Sequence, residues 1–457
     1  MGKTLVCHTH HQISLRPSSK SNSDEHWNRG GTWSLNEQNS KSSITSANFV
    51  AENGDLLTQI LVRLPVKPLI RFQSVSKKWL LIISDPAFRR RCFPRRTGAH
   101  FLWRGAIDME LNSLSLDESY LSTMSSTVLQ LSNLFDLNRV VGFNSCNGLL
   151  AIVLKNSDGG LNFVVYNPTT LHSRLIPPIP GTGGEDSFWG FIDSDSETED
   201  SMSPMIRPQT YRYFGALHIA FDPSQSDHYK LLYICGFWNL RFASYASDTQ
   251  LWSKSRSVLD HQLWNNMTMY YKKGVFWNGD MFWVDSRLGT YCFNFEKGCA
   301  KRITASLPQG RPILEVDRHP DVIYFGVCGD SLSLVRLMDF HPLLLDIYQL
   351  ELDYSRWNFK YQVDLSPLRS APYSSMFDIA PHSAWWQRFY VLNCLMDEQL
   401  KPTELLISVR GKIISYDIQD MIVKEIADVV PDTDEAHWRF LFKWSQVFEH
   451  FETVASV

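Results

Sequence analysis

The dipeptide Asn278-Gly279, set inside GVFWNGDMFWV, restricts the fold more than any other short stretch of this chain. Apolar and aromatic runs lie on both sides of it, and the pair supplies the positive φ angles that a two-residue hairpin turn demands. The device recurs. GLLAIVL and LNFVVYNPTT flank NSDGG, DVIYFGVCGDSLSLVRL turns at Gly329-Asp330, and TELLISVRGKIISYDIQ turns at Arg410-Gly411. From Phe101 onward short β-type runs alternate with turn signals, and no clean long amphipathic helix interrupts them before the C-terminus. Roughly 350 residues of such hairpins, spaced for units of about forty to fifty residues, favour an all-β propeller over a single sandwich, and about six to eight blades fit that length.

A chain of 457 residues exceeds what one hydrophobic core serves, so a second, smaller module is expected. Residues 1–50 are rich in Ser, Asn, Thr and Gly without hydrophobic periodicity and are predicted to form a disordered tail. Its His8, His10 and His11 have no second ligand cluster, so no metal site is expected there. The opening MGKTLVCHTHHQ lacks the apolar core of a secretory signal, and no run of about eighteen apolar residues occurs. The expectation is a cytoplasmic or nuclear protein with no membrane partner. Its eight cysteines, none in a C-x-x-C pair, are then expected as free, mostly buried thiols.

Between tail and hairpins lies LLTQILVRLPVKPLIRFQSVSKKWLLIISDP, Leu56 to Pro86, which is apolar, basic and broken by proline. Leu57, Ile60, Leu61 and Leu64 follow i, i+3, i+4, i+7 and predict one side of a helix starting near Gly54 or Asp55. Pro65 lacks an amide hydrogen and Pro68 disfavours helix at Lys67, so the chain turns there. Pro68 suits the first turn of a second short helix, on which Leu69, Phe72 and Val75 share a face. Ser76 is the predicted N-cap of a third helix carrying Trp79, Ile82 and Ile83, which Asp85-Pro86 ends. Three helices of under about fifteen residues make a thin core, so part of their apolar surface is expected to belong to a partner. Charge is also uneven: Ala51 to Arg96 holds ten basic residues against three acidic, whereas Thr97 to Val457 holds 29 against 42. A basic collar suits an acidic protein surface or nucleic acid, and the count alone does not choose.

The helical stretch resembles the plant form of the F-box through L-x-x-I-L-x-R-L-P-x-K-x-L-x-R-F, V-S-K-K-W and I-S-D-P-A-F. The remainder resembles the F-box-associated domain of the same proteins, a kelch-like propeller. That likeness runs through CNGLL at Cys146, VYNPTT at Val165, FDPSQSDHYKLL at Phe221, the phrase from Ser247 to Ser253, and GVFWNGDMFW at Gly274. The resemblance implies an F-box with basic linker over 51–96 and a propeller over 97–457. It implies a non-catalytic, cofactor-free substrate receptor of an SCF-type ubiquitin ligase. In such a complex the F-box docks a Skp-type adaptor, the adaptor binds a cullin, and the propeller presents a target protein for ubiquitination. The family's adaptor-facing positions map onto Leu57, Ile60, Leu61, Leu64, Pro65, Leu69, Val75 and Trp79, with Lys67 and Lys78 at the rim. Phe72, Ile82 and Ile83 are expected in the module's own core, and Trp79 suits core and contact equally. Glu52-Asn53 stand where the family opens on Leu-Pro, a pair that normally joins the adaptor contact.

The alternative function is a scaffold or regulatory module that uses the same two domains without promoting degradation. Independent catalysis has no support, since G-x-S-x-G, H-E-x-x-H and G-x-x-x-x-G-K-[ST] are all missing from the sequence. Arg89, Arg90, Arg91, Arg95 and Arg96 cluster without interleaved aromatics, which argues against nucleic acid. Glu185 to Ser201 holds seven acids and no base, so residues near 183–204 are predicted as an exposed, disordered loop. The final HWRFLFKWSQVFEHFETVASV reads as a closing strand plus helix packed on the barrel.

Overall fold

The structure is a computed structural model that describes residues 48–92, 95–104, 110–115, 127–157, 160–180, 215–235, 239–257, 259–260, 273–284, 289–305, 322–338, 341–369, 389–396, 401–409, 412–428 and 446–457. The tail before residue 48, the acidic stretch 183–204, the Arg410-Gly411 turn and the expected helical part of the C-terminal segment lie outside the described residues. Two compact units divide between Cys92 and Phe93.

In the helical unit, residues 48–52 form a helical turn, so regular structure begins inside the expected tail. Four helices follow: α1 (Gly54–Leu61), α2 (Val66–Phe72), α3 (Lys77–Ser84) and α4 (Pro86–Cys92). Side-chain caps set three of the starts. Asn53 Oδ1 accepts from the amides of Asp55 and Leu56 at 3.0 and 3.1 Å. Ser76 Oγ accepts from Trp79 N at 3.2 Å, and Asp85 Oδ1 accepts from Ala87 N and Phe88 N at 2.7 and 3.1 Å. Asp85-Pro86, expected only as a stop, therefore also starts a fourth helix. Pro86 takes the first helical position, where its missing N–H has no intrahelical acceptor to lose. Arg89 and Arg91 lie on α4 instead of in a linker. α1, α2 and α4 each pack on α3.

The second unit is a six-bladed propeller. Its first blade is built from both ends of the unit, with β1 (Arg95–Arg104) paired to β2 (Glu110–Ser115) on one side and to β24 (Val447–Glu452) on the other. The next four-stranded blades are β3 (Val140–Cys146) to β6 (His172–Ile176) and β7 (Gly215–Ala220) to β10 (Leu251–Lys254), the latter with β11 (Leu259–Asp260) added on β9 (Asn239–Ala246). Then come β12 (Val275–Trp277) to β15 (Cys299–Ile303), β16 (Val322–Cys328) to β19 (Trp357–Asp364), and β20 (Phe389–Met396) to β23 (Val423–Asp428). β24 packs beside β3, β3 beside β7, β12 beside β16, and β16 beside β20, so the first strand of each complete blade faces the axis and β24 takes that place in the closing blade. Arg95 and Arg96, expected in the linker, pair with Glu452 and Phe451 and belong to this closure.

Apolar cores lie between blades and run round the ring. One joins Phe101 to Leu150 and Phe448, the next Val165 to Leu231 and Ala455, the next Phe242 to Phe293, a large one the fourth, fifth and sixth blades, and the last Leu102 to Leu406 and Val447. Because both faces of a middle strand meet another blade, β4 (Leu149–Lys155) and β13 (Asp280–Val284) are buried along continuous runs. Outer strands such as β6 and β10 are mostly exposed. This explains why the sequence shows apolar runs more than strict alternation. At the Asn278-Gly279 turn both φ angles are positive, 49° and 83°, as the dipeptide predicts.

Candidate functional site

Burial divides the expected docking residues. Leu57, Leu61 and Leu69 are buried, with Val66 and Ile83, and so form the interior of the helical unit instead of its surface. The reason is size: a unit this small has few inward positions, and one or two apolar residues from each of the four helices, Phe88 of α4 among them, take them. Ile60, on the edge of that stripe, is 46% exposed, and Val75 after α2 is 59% exposed. Pro65 and Lys67 are exposed, while Leu64 and Trp79 are half-buried. Trp79 packs edge-on against Phe72, ring centroids 5.1 Å apart, so its ring braces α2 against α3. Ile82, expected inside, is only half-buried.

Sequence reasoning missed three exposed apolar residues: Phe49 at 64%, Leu80, and Leu81 at 72%. The run Trp79-Leu80-Leu81-Ile82-Ile83 was the available signal, because five consecutive apolar residues on one helix cannot all face the same core. Lys78, expected at the rim, is half-buried and bonds to the chain's own backbone. Its Nζ donates to the Ala51 carbonyl at 2.8 Å and to the Glu52 carbonyl, closing the end of the 48–52 turn. Glu52 and Asn53 are therefore an acceptor for Lys78 and the cap of α1, and that is what this chain does with the positions where Leu-Pro was expected.

The propeller carries its own concave site, a cavity of 610 Å³. Asp222, Asn278 and Asp330, on turns that leave the inner strands, and Leu352 on the turn before β19 line it, while His100, Tyr324 and Asn393 line its buried part. Lys273 Nζ donates to the Val447 carbonyl at 2.5 Å and lies 5.3 Å from the Phe448 ring centroid. Burial pulls its ammonium down to about 7, opposed by the Glu449 carboxylate. Cys146 also lines the cavity, and burial pushes its thiol up to about 12, which disfavours the nucleophilic thiolate.

The phrases singled out in the sequence are ties between blades. Asn147 Nδ2 donates to Phe221 O at 2.7 Å, Trp252 Nε1 to Pro177 O at 2.7 Å, and Trp277 Nε1 to Asp330 O at 2.8 Å. Asn167 is buried and holds the C-terminal residues, its Nδ2 donating to the carbonyls of Thr453 and Ala455 at 3.1 and 2.8 Å.

A capped helical module with apolar side chains left outside, followed by a closed propeller, defines a two-domain protein of the kind first read from the sequence. The F-box domain family model matches residues 54–91, which span α1 to α4 almost to its end. The chain thus joins a segment that matches the F-box domain model to a six-bladed β-propeller that follows it in sequence. An F-box protein of Arabidopsis thaliana is 26% identical over 438 residues, covering 91% of this chain and 94% of the relative. A putative F-box/kelch-repeat protein of the same plant is 23% identical over 330 residues, covering 68% and 71%. Among solved structures, the β-propeller domain of the Trilobed protease from Pyrococcus furiosus has a TM-score of 0.29 at 10% identity, covering 64% of this chain and 69% of that one. Among the described residues no helix is long and apolar enough to cross a membrane.

Proposed function

We propose that this chain is the non-catalytic substrate-recognition subunit of an SCF-type ubiquitin ligase. Its helical unit docks a Skp-type adaptor and through it a cullin, in the cytoplasm or nucleus, and its propeller holds the target protein for ubiquitination. The observation that carries the reading is the division of apolar residues in the helical unit. Leu57, Leu61, Val66, Leu69 and Ile83 fill the interior, yet Ile60, Val75, Leu80 and Leu81 remain outside it. Side chains of this kind, left outside on a module of roughly forty residues, supply anchors for a partner. Leu64, Pro65 and Trp79 contribute what they expose, and Lys67 steers toward an acidic adaptor surface. Leu57, Leu61 and Leu69 act from beneath, by holding α1 and α2 in place.

The test is co-purification of adaptor and cullin with the full chain, wild type against Val75→Asp and Leu81→Asp. Both substitutions are at exposed positions and leave the core intact. Wild type retains both ligase subunits and the variants lose them; equal recovery from all three sinks the proposal.

A further inference from the structure

We propose that the propeller cavity is a recognition site for an arginine or lysine side chain carried on an extended protein segment. This rests on the reading of the propeller as the part that holds the target. The cavity's 610 Å³ falls within the range of about 300–1,000 Å³ typical of sites that enclose small groups. A side chain on an extended strand fits.

Charge selects the sign. Asp222, Asp330 and Glu449 line the cavity against one described lysine, Lys273. Asp330 is exposed on the turn after β16, and the Asp222 carboxylate is fixed by Ser224, whose N–H and hydroxyl both donate to Oδ1. Lys273, by contrast, is spent on the Val447 carbonyl and the face of Phe448. Three carboxylates against one lysine leave the lining net negative even with Glu449 acting on Lys273, and the exposed charge at Asp330 favours a cation over an anion. Phe276, Trp277 and Phe451 add aromatic rings to the lining, surfaces to which a guanidinium or ammonium is drawn.

The experiment measures fluorescence anisotropy of a fluorescein-labelled nonapeptide of alternating glycine and arginine with the full-length chain, beside a peptide with glutamate in place of arginine. Wild type binds the arginine peptide and not the glutamate peptide. D330N and E449Q each weaken arginine-peptide binding by about threefold to tenfold. D420N, at an exposed carboxylate that is not among those lining the cavity, leaves it unchanged. Asp330 is exposed, so D330N tests the idea even where E449Q disturbs β24. Preference for the glutamate peptide, equal binding by D330N and wild type, or an equal loss in D420N overturns the proposal. Leu81→Asp removes adaptor capture without changing peptide affinity, so failure of this site and failure of the ligase reading give different results.

Discussion

Asn393 Nδ2 and His100 Nε2 meet at 3.0 Å inside the propeller, and the Tyr324 hydroxyl donates to Asn393 Oδ1 at 3.4 Å. The three residues come from the sixth, first and fifth blades. A second clamp covers the other half of the ring: Asn144 Nδ2 faces His218 Nδ1 at 3.4 Å while Gly274 N–H donates to the same nitrogen at 3.0 Å, joining the second, third and fourth blades. Two Asn-His pairs, with Tyr324 and Gly274, thus tie the blades in two sets of three. Gly274 is required at its place, because a Cβ there would fall 2.7 Å from Met281 Sδ and 2.9 Å from the His218 ring. Its N–H also fixes His218 Nδ1 as an acceptor.

Asn144→Ala and Asn393→Ala are each expected to lower stability by about 1–3 kcal/mol, since each strands buried polar partners. The clamps share no residue, so the double variant should lose close to the sum. Urea midpoints of the two single variants and the double check this; unchanged midpoints would mean that blade packing alone holds the ring.

The C-terminal segment offers a second test of closure. Asn167 donates to two carbonyls of that segment while its Oδ1 accepts from Thr169 N at 2.8 Å and Thr170 N at 3.2 Å. Asn167→Ala removes all four bonds at a buried position and is expected to cost about 2–3 kcal/mol. Limited proteolysis should then release the C-terminal residues from the variant before the rest of the propeller is cut, and it should spare them in wild type.

Much of this fold was legible because its turn chemistry is local. Asn278-Gly279 and Gly329-Asp330 announce hairpins without reference to anything distant, and the proline and cap residues at Pro65, Pro68 and Ser76 mark helix ends the same way. What the sequence hid was long-range. The blade count depends on β24 reaching back to β1, a pairing between residues 95 and 452 that no local pattern records. Inside and outside were equally hard to separate in the helical unit. Leu61 and Leu81 are chemically identical, and only the packing of α1, α2 and α4 on α3 buries the first and leaves the second outside.

Lys273 makes stability depend on pH. Burial lowers its ammonium from 10.5 to about 7 in the folded chain, so between those values the unfolded chain binds more protons. The cost of burying the charge is fully present below about pH 7 and is relieved as pH rises toward 10.5. Urea midpoints should therefore increase from pH 7 to pH 8.5, a window below the ordinary thiol value of 9.0 for the buried Cys235 and Cys292. Lys273→Met should flatten that rise. A wild type whose midpoint falls over the same interval contradicts the assignment.

The sharpest separation of fold from docking lies in three residues of the helical unit. Leu61→Ala empties a fully buried site on α1 and is expected to destabilise the unit by about 2–5 kcal/mol, with adaptor capture lost through unfolding. Leu81→Ala removes a mostly exposed side chain, so stability should change by less than about 0.5 kcal/mol while adaptor affinity falls at least about tenfold. Lys78→Met breaks the bonds to the Ala51 and Glu52 carbonyls, and should fray the 48–52 turn at a cost of about 0.5–1.5 kcal/mol. Circular dichroism melts and adaptor binding measured on the same three variants distinguish the roles. If Leu81→Ala binds the adaptor like wild type, the outward face of α3 is not the contact, and the exposed Ile60 and Val75 must supply it without that helix.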